Sequence, residues 1–342
     1  MHSFFTHSEL KRIYSALKKN FLTVLMILPI ALYGQDVQLS MYNFHALFVN
    51  PAYTGNFSGD WRVAAGYRNQ QVVTAQSYTT AIAGFDGHFY LFNRKIGAGI
   101  YALNDVSGIG GLTFNKVYAS LAYVFDIGTH SFGLGAQGGF VSGSVNTWGV
   151  WDHNTGSYTA PNGEEYFAEK TSYIDVNIGM SWRHKFGKFL PGVGVSLLHV
   201  NEPNISLFNA DDTQPLQILV DTRFKIDVTE KFSTTPLIFF RTQGGAEMSI
   251  AGIDLNYSLS PKSFVKSFFG GVHLHNGVIE KASSVFFHLG TRVKRLDVGV
   301  GYEHRIGIFS ESTGSMGAFE VALIYRSIST VFNTYSIPCE RY

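Results

Sequence analysis

One cysteine, Cys339, stands in 342 residues, so no internal disulfide can form. Charge is scarce as well. Asp, Glu, Lys and Arg supply 15% of the chain, against about 25% in an average soluble domain, and the formal net charge of +1 gives no electrostatic case for nucleic acid or an acidic surface. Beyond residue 33 no apolar run approaches the roughly 18 to 20 residues that a membrane helix needs, which argues against an inner-membrane span. No glycine pattern opens a helix after a buried strand, so the glycines make no case for a phosphate cradle.

What the chain has in quantity is glycine and aromatics, with 36 Gly, 29 Phe and 18 Tyr. Lys18 and Lys19, the apolar run from Phe21 to Tyr33 and the small residue Gly34 read as a secretory signal peptide over 1–34, leaving Gln35 as the mature N-terminus. No cysteine follows at that point, so a lipid anchor there is not indicated. A lone thiol in a secreted chain can pair with another protein, or simply fill a packed tail.

From Asp60 onward the sequence alternates with period two in segments of about ten to fourteen residues, the repeated signature of a transmembrane barrel. Ile174, Val176, Ile178, Met180 and Trp182 fall on one face of their segment, and Asp175, Asn177, Gly179 and Ser181 on the other. Ile253, Leu255 and Tyr257 oppose Asp254 and Asn256; Phe287 and Leu289 oppose His288 and Gly290; Val298, Val300 and Tyr302 oppose Asp297, Gly299 and Glu303. A soluble sandwich alternates too, with the polar face in water. Loop lengths favour the barrel, because short turns alternate with longer loops. Candidate strands lie near 60–69, 78–89, 95–105, 114–126, 130–142, 171–184, 188–199, 213–226, 231–241, 246–258, 263–275, 283–293, 295–305 and 316–327. The expectation is an all-β, antiparallel transmembrane barrel of about fourteen strands over 60–327, in contact with outer-membrane lipid. A 35–59 segment sits at its periplasmic mouth, a 328–342 tail returns to the periplasm, and both termini are periplasmic. Gly97, Gly99, Gly133, Gly135, Gly192 and Gly194 weaken strands by propensity but permit curvature and leave room in the lumen.

The stretch before the first strand carries the most specific text. Ser40 can cap a short helix with Met41, Phe44, Leu47 and Phe48 about a turn apart, and Asn50-Pro51 should end it. Asn50-Pro51-Ala52-Tyr53-Thr54-Gly55 then supplies a sharp turn, or merely a helix stop. These residues resemble the PorP/SprF family of outer-membrane proteins associated with the type IX secretion system of Bacteroidetes. The resemblance runs through Gln35-Asp36-Val37-Gln38-Leu39-Ser40-Met41-Tyr42, Asn50 to Gly55, and Tyr67-Arg68-Asn69-Gln70, and extends to the close on Cys339-Glu340-Arg341-Tyr342. The chain departs from the family pattern at Glu340, where a proline is usual, and at Gln71, where a tryptophan is usual. What the resemblance implies is a partner role. The protein would assist export or surface attachment of a large, adhesin-like secreted client, gliding-related proteins included, and contact periplasmic and outer-membrane components of the machine. Tyr42, Phe44, Asn50, Pro51, Tyr53 and Gly55, with Cys339 and Arg341 in the tail, are then candidate partner-binding residues. The alternative on the same barrel is a channel for small or hydrophobic solutes.

Chemistry finds little footing. His273 and His275 share one strand face, and His288 and His304 lie on the next two, but the spacing is not a recognised ligand motif, and lumen histidines need no metal. Asp211-Asp212 and Glu164-Glu165 lack the spaced oxygens of a calcium loop. His130-Ser131 has no context for activation. No enzyme activity, cofactor or metal is expected. The loop 145–170 carries Trp148, Trp151, Tyr158, Tyr166 and Phe167, suited either to a protein interface or to a fold over the barrel mouth. Arg292, Lys294, Arg295, Asp297 and Glu303 could pair within the lumen, favouring a plugged barrel over an open pore.

Overall fold

The alternating segments become strands, and the strands close on themselves. The computed structural model describes residues 36–72, 78–92, 94–107, 111–145, 150–152, 157–159, 170–207, 212–260, 262–276, 283–306 and 315–329. Among them run β1 (Trp61–Val72), β2 (Tyr78–Leu91), β3 (Arg94–Ser107), β4 (Leu112–Ile127), β5 (His130–Val145), β6 (Val150–Asp152), β7 (Ser157–Thr159) and β8 (Lys170–His184). They continue with β9 (Phe189–Leu198), β10 (Gln217–Asp227), β11 (Phe232–Gln243), β12 (Ala246–Ser258), β13 (Val265–His275), β14 (Ser284–Val293), β15 (Leu296–Arg305) and β16 (Ser315–Arg326). Fourteen of these form one closed antiparallel barrel in which β5 pairs with β8 and β1 meets β16. Closure leaves no unpaired edge. The pair β6–β7 is a separate two-stranded sheet between β5 and β8, set in the long aromatic loop.

The faces are sorted as a bilayer requires and as a soluble sandwich forbids. Ile174 is 59% exposed while Asp175 beside it is 0% exposed, and Leu289 is 70% exposed beside His288 at 3%. Apolar side chains cover the outside and ionisable ones are enclosed, which is the outward band of a membrane barrel around a filled interior. Strand ends match the expected segments closely. The connections at one end, 92–93, 128–129, 185–188, 228–231, 259–264 and 294–295, are short. Most at the other end are longer, up to 146–169. The exception is the β11–β12 hairpin, whose two-residue turn Gly244-Gly245 has φ of 55° and 84°, the left-handed pair that a tight hairpin turn demands.

The segment before β1 departs from expectation in two ways. Its helix is broken into a 3-10 turn at Tyr42–Phe44, four α residues at Ala46–Val49 and a second 3-10 turn at Pro51–Tyr53. Ser40 does not cap it, because the serine is claimed by the wall: its Oγ donates to Glu303 Oε2 at 2.8 Å and accepts from Arg68 Nη1 at 2.8 Å. Nor does the segment stop at one mouth. Asp36 meets Lys116, His199 and Gln243 near the end with the longer loops, whereas Asp60 and Trp61 bond to Ser327 at the short-turn end. The segment threads the lumen, because its apolar side chains on every side find partners only along the interior.

Candidate functional site

The site is the contact between this lumenal segment and the barrel wall. A segment with apolar residues on all faces needs a partner on each, and the barrel supplies three. Tyr42, Ala46, Val49 and Tyr53 pack with Leu219, Leu237, Phe239 and Ile250 of β10–β12. Leu39 and Leu47 pack with Ile82, Tyr101, Leu103, Tyr118 and Val141 of β2–β5. Met41 and Phe44 pack with Phe269, Phe286, Ala322 and Ile324 of β13, β14 and β16. Lumen-facing apolar residues, which an open water channel would not carry, are the core for this segment.

Many polar groups of the segment find partners in the wall, as burial demands. The amides of Ser40 and Met41 each donate to Glu320 at 2.7 Å, and Arg68 bridges Glu320 and Glu303. Asn50 Nδ2 donates to the carbonyls of Met180 at 3.0 Å and Val195 at 3.2 Å, while its Oδ1 accepts from Ala52 N at 2.9 Å and so caps the turn. The Gly55 amide donates to Asp86 Oδ2 at 2.8 Å, and Asp86 also pairs with Arg62 at 2.8 Å, whose guanidinium lies 4.4 Å above the Phe57 ring. His45 abuts Gly66 of β1, where a Cβ would overlap its ring. Asp36 is ionised: burial opposes its charge, but Lys116 and then His199 hold the carboxyl well below the usual range.

The turn 50–55 has a seat made by missing side chains. A Cβ at Gly179 would overlap Asn50 Oδ1, one at Gly135 would overlap Pro51 and Ala52, one at Gly194 the Tyr53 hydroxyl and one at Gly97 the Thr54 carbonyl. Gly55 itself has φ of 63° and would bring a Cβ to 2.7 Å from Gly97 Cα. The glycines that weaken β3, β5, β8 and β9 by propensity are therefore the wall of this seat.

Of the sequence-derived candidates, Tyr42, Phe44, Asn50, Pro51, Tyr53 and Gly55 come together here, and all are buried. In this conformation each is engaged with the wall and presents no surface to another protein. Trp148, Cys339 and Arg341 lie outside the described residues, and Trp151 is described only as backbone, paired with Tyr158. The acidic pairs also fall there, apart from Asp212, the carbonyl of which accepts from Ile205 N. The histidine grouping drawn from spacing is corrected. His304 points outward and His275 lies by Gln38 and Glu303, whereas His273 and His288 converge on Asp254, a polar-face residue that strand spacing had not grouped with them. Sequence reasoning also missed Asp221, Asp86 and Glu320, whose role depends on which strand faces which part of the segment. Arg292 and Arg326 pair with Asp297 as an interior ion cluster, in line with a filled lumen.

A family model described as type IX secretion system membrane protein PorP/SprF matches residues 31–325. No curated protein matches the chain. Among solved structures the chain is similar to the toluene transporter TbuX of Ralstonia pickettii, with a TM-score of 0.52 at 12% identity over 84% of this chain and 94% of that one. It is also similar to a FadL homologue of Pseudomonas aeruginosa, with a TM-score of 0.47 at 10% identity over 82% and 94%. At such identity the first likeness speaks to the barrel alone.

Proposed function

This chain belongs to the PorP/SprF family of type IX secretion system membrane proteins, and we propose from that premise that it assists export or surface attachment of a large secreted client by binding, not by catalysis. The observation that carries the proposal is the lumen: the motif residues Asn50 to Gly55 seat inside the barrel against β3, β5, β8 and β9, which favours a plugged scaffold over an open pore. Short turns face the periplasm in barrels of this class. On that rule Asp60 lies at the periplasmic end and Asp36 at the outer end, the end at which the loop holding Trp148 and Trp151 would meet a client. The tail with Cys339 and Arg341 follows the periplasmic end of β16 and is suited to contact the machine there.

The test replaces Pro51 and Tyr53 with alanine together. Secretion of the client should fall while the barrel still reaches the outer membrane at equal abundance; normal export by that variant removes the segment from the function. The second reading, a channel for hydrophobic solutes, is favoured by the fold likeness to a toluene transporter. It predicts solute uptake by the protein alone in liposomes and no co-purifying secretion components.

A further inference from the structure

Two imidazoles and a carboxylate meet in the barrel wall beside the lumenal segment. Asp254 on β12, His273 on β13 and His288 on β14 all point inward and are buried. Nε2 of His273 lies 2.9 Å and Nε2 of His288 lies 2.8 Å from the same Asp254 oxygen, Oδ1, and the three potential ligand atoms fall within 4.8 Å of one another. Space for this convergence comes from two glycines. Gly271 stands between Asp254 and His288 in the strand register, and a Cβ on it would overlap both; a Cβ on Gly252 would overlap His273. Asn43 of the segment donates to the other carboxylate oxygen at 3.1 Å.

The electrostatics of the group are incomplete. Both Nε2 atoms and Asn43 reach Asp254, but this buried carboxylate has no Lys or Arg among its described ion pairs. Such a charge is costly without a cation. Two imidazoles and one carboxylate are the donor set of three-ligand zinc sites, with the fourth position open. Tetrahedral ligation with metal bonds of about 2.0–2.2 Å separates ligand atoms by roughly 3.3 Å, so each Nε2 has to retreat from Asp254 Oδ1 by only a few tenths of an ångström.

We propose that Asp254, His273 and His288 form a binding site for one divalent transition-metal ion of the zinc class, which fastens the lumenal segment to β12–β14 through Asn43. Neither Nδ1 atom has a hydrogen-bond partner. The outer contacts that tighten metal histidines, worth about 10- to 100-fold in affinity each, are thus missing, and the affinity expected is lower by that factor for each.

The test is a titration of the purified, chelator-stripped barrel in detergent with cobalt(II), followed by displacement with zinc. One equivalent of cobalt per chain should give the visible bands of a four-coordinate ion, and His273→Gln or His288→Gln should weaken binding at least tenfold. His275→Gln, on the same strand face but outside the cluster, should leave it unchanged. Heat-modifiable migration checks that each variant is folded. X-ray absorption at the zinc edge of the unmodified protein needs no variant, and two imidazoles in the coordination shell are expected. Absence of stoichiometric cobalt binding, bands that persist in both glutamine variants, or fewer than two imidazoles on zinc would each overturn the site.

Discussion

The Tyr53 hydroxyl sits 3.0 and 2.8 Å from the two carboxylate oxygens of Asp221, deep between the lumenal segment and β10. It is the one side-chain tie from the Pro51–Tyr53 turn to a charged group of the wall among the described hydrogen bonds. A hydrogen bond to a charged partner contributes about 1.5–3 kcal/mol. Tyr53→Phe keeps the ring in its apolar cluster and removes only this tie. Amide exchange at residues 50–55 should accelerate about 10- to 100-fold, with the barrel strands unchanged. Exchange at the original rate would show that packing alone seats the turn.

Side-chain volume at the seat should act on the lumen and not on the barrel. Gly135→Leu collides with the backbone of Pro51 and Ala52, so the turn cannot dock. The barrel should still migrate as a heat-modifiable band, while conductance in planar bilayers rises above that of the native protein. Gly138→Leu is the control, because a Cβ there meets nothing within 4 Å, and it should behave as native.

The Arg62–Asp86 pair tests whether interior charge holds the short-turn end of the segment. Both side chains are almost fully buried, and removal of one partner of such a pair costs about 3–5 kcal/mol because the other is left without its counter-charge. Arg62→Ala should therefore lower the urea midpoint of unfolding, and Arg62→Ala with Asp86→Ala should recover part of the loss. Equal midpoints for the single and double variants would contradict this.

Acid should loosen the other end. The Asp36 carboxyl is depressed when folded: burial works against its charge, and Lys116 and His199 outweigh it. A depressed acid contributes stability that is present above its unfolded value, near 3.8, and lost as pH falls through the folded one. Protection of the amides of residues 36–41, taken relative to the intrinsic exchange rate at each pH, should be the same at about pH 7 and pH 5, and should fall only once the pH drops well below 3.8. Asp36→Asn should show the reduced protection already at neutral pH.

The barrel was legible in the sequence because a strand with lipid on one side and enclosed groups on the other writes its two faces residue by residue. Ile174 to Trp182 is the clearest case. The strand count and nearly all boundaries follow from it. The depth of the segment was not legible, because its apolar residues specify contact on all sides but not with which strands. The same limit hid Asp254 from the two histidines, since 19 residues separate it from His273 and the geometry that joins them is cross-strand register. Ser40 misled for a different reason: serine before a helical pattern is a local signal, and a glutamate and an arginine from distant strands claim its hydroxyl instead.

Ser327 Oγ accepts from the amides of both Asp60 and Trp61 at 2.9 Å, just where the segment becomes β1. There is no slack in the chain at that point, since β1 is also the seam with β16. Extraction of the segment by that route would have to unzip the closing strands. A force that clears the interior from the other end meets the ties in sequence order, Ser40 before Asn43 and Asn43 before Asn50. The order of release is thus written into the polypeptide.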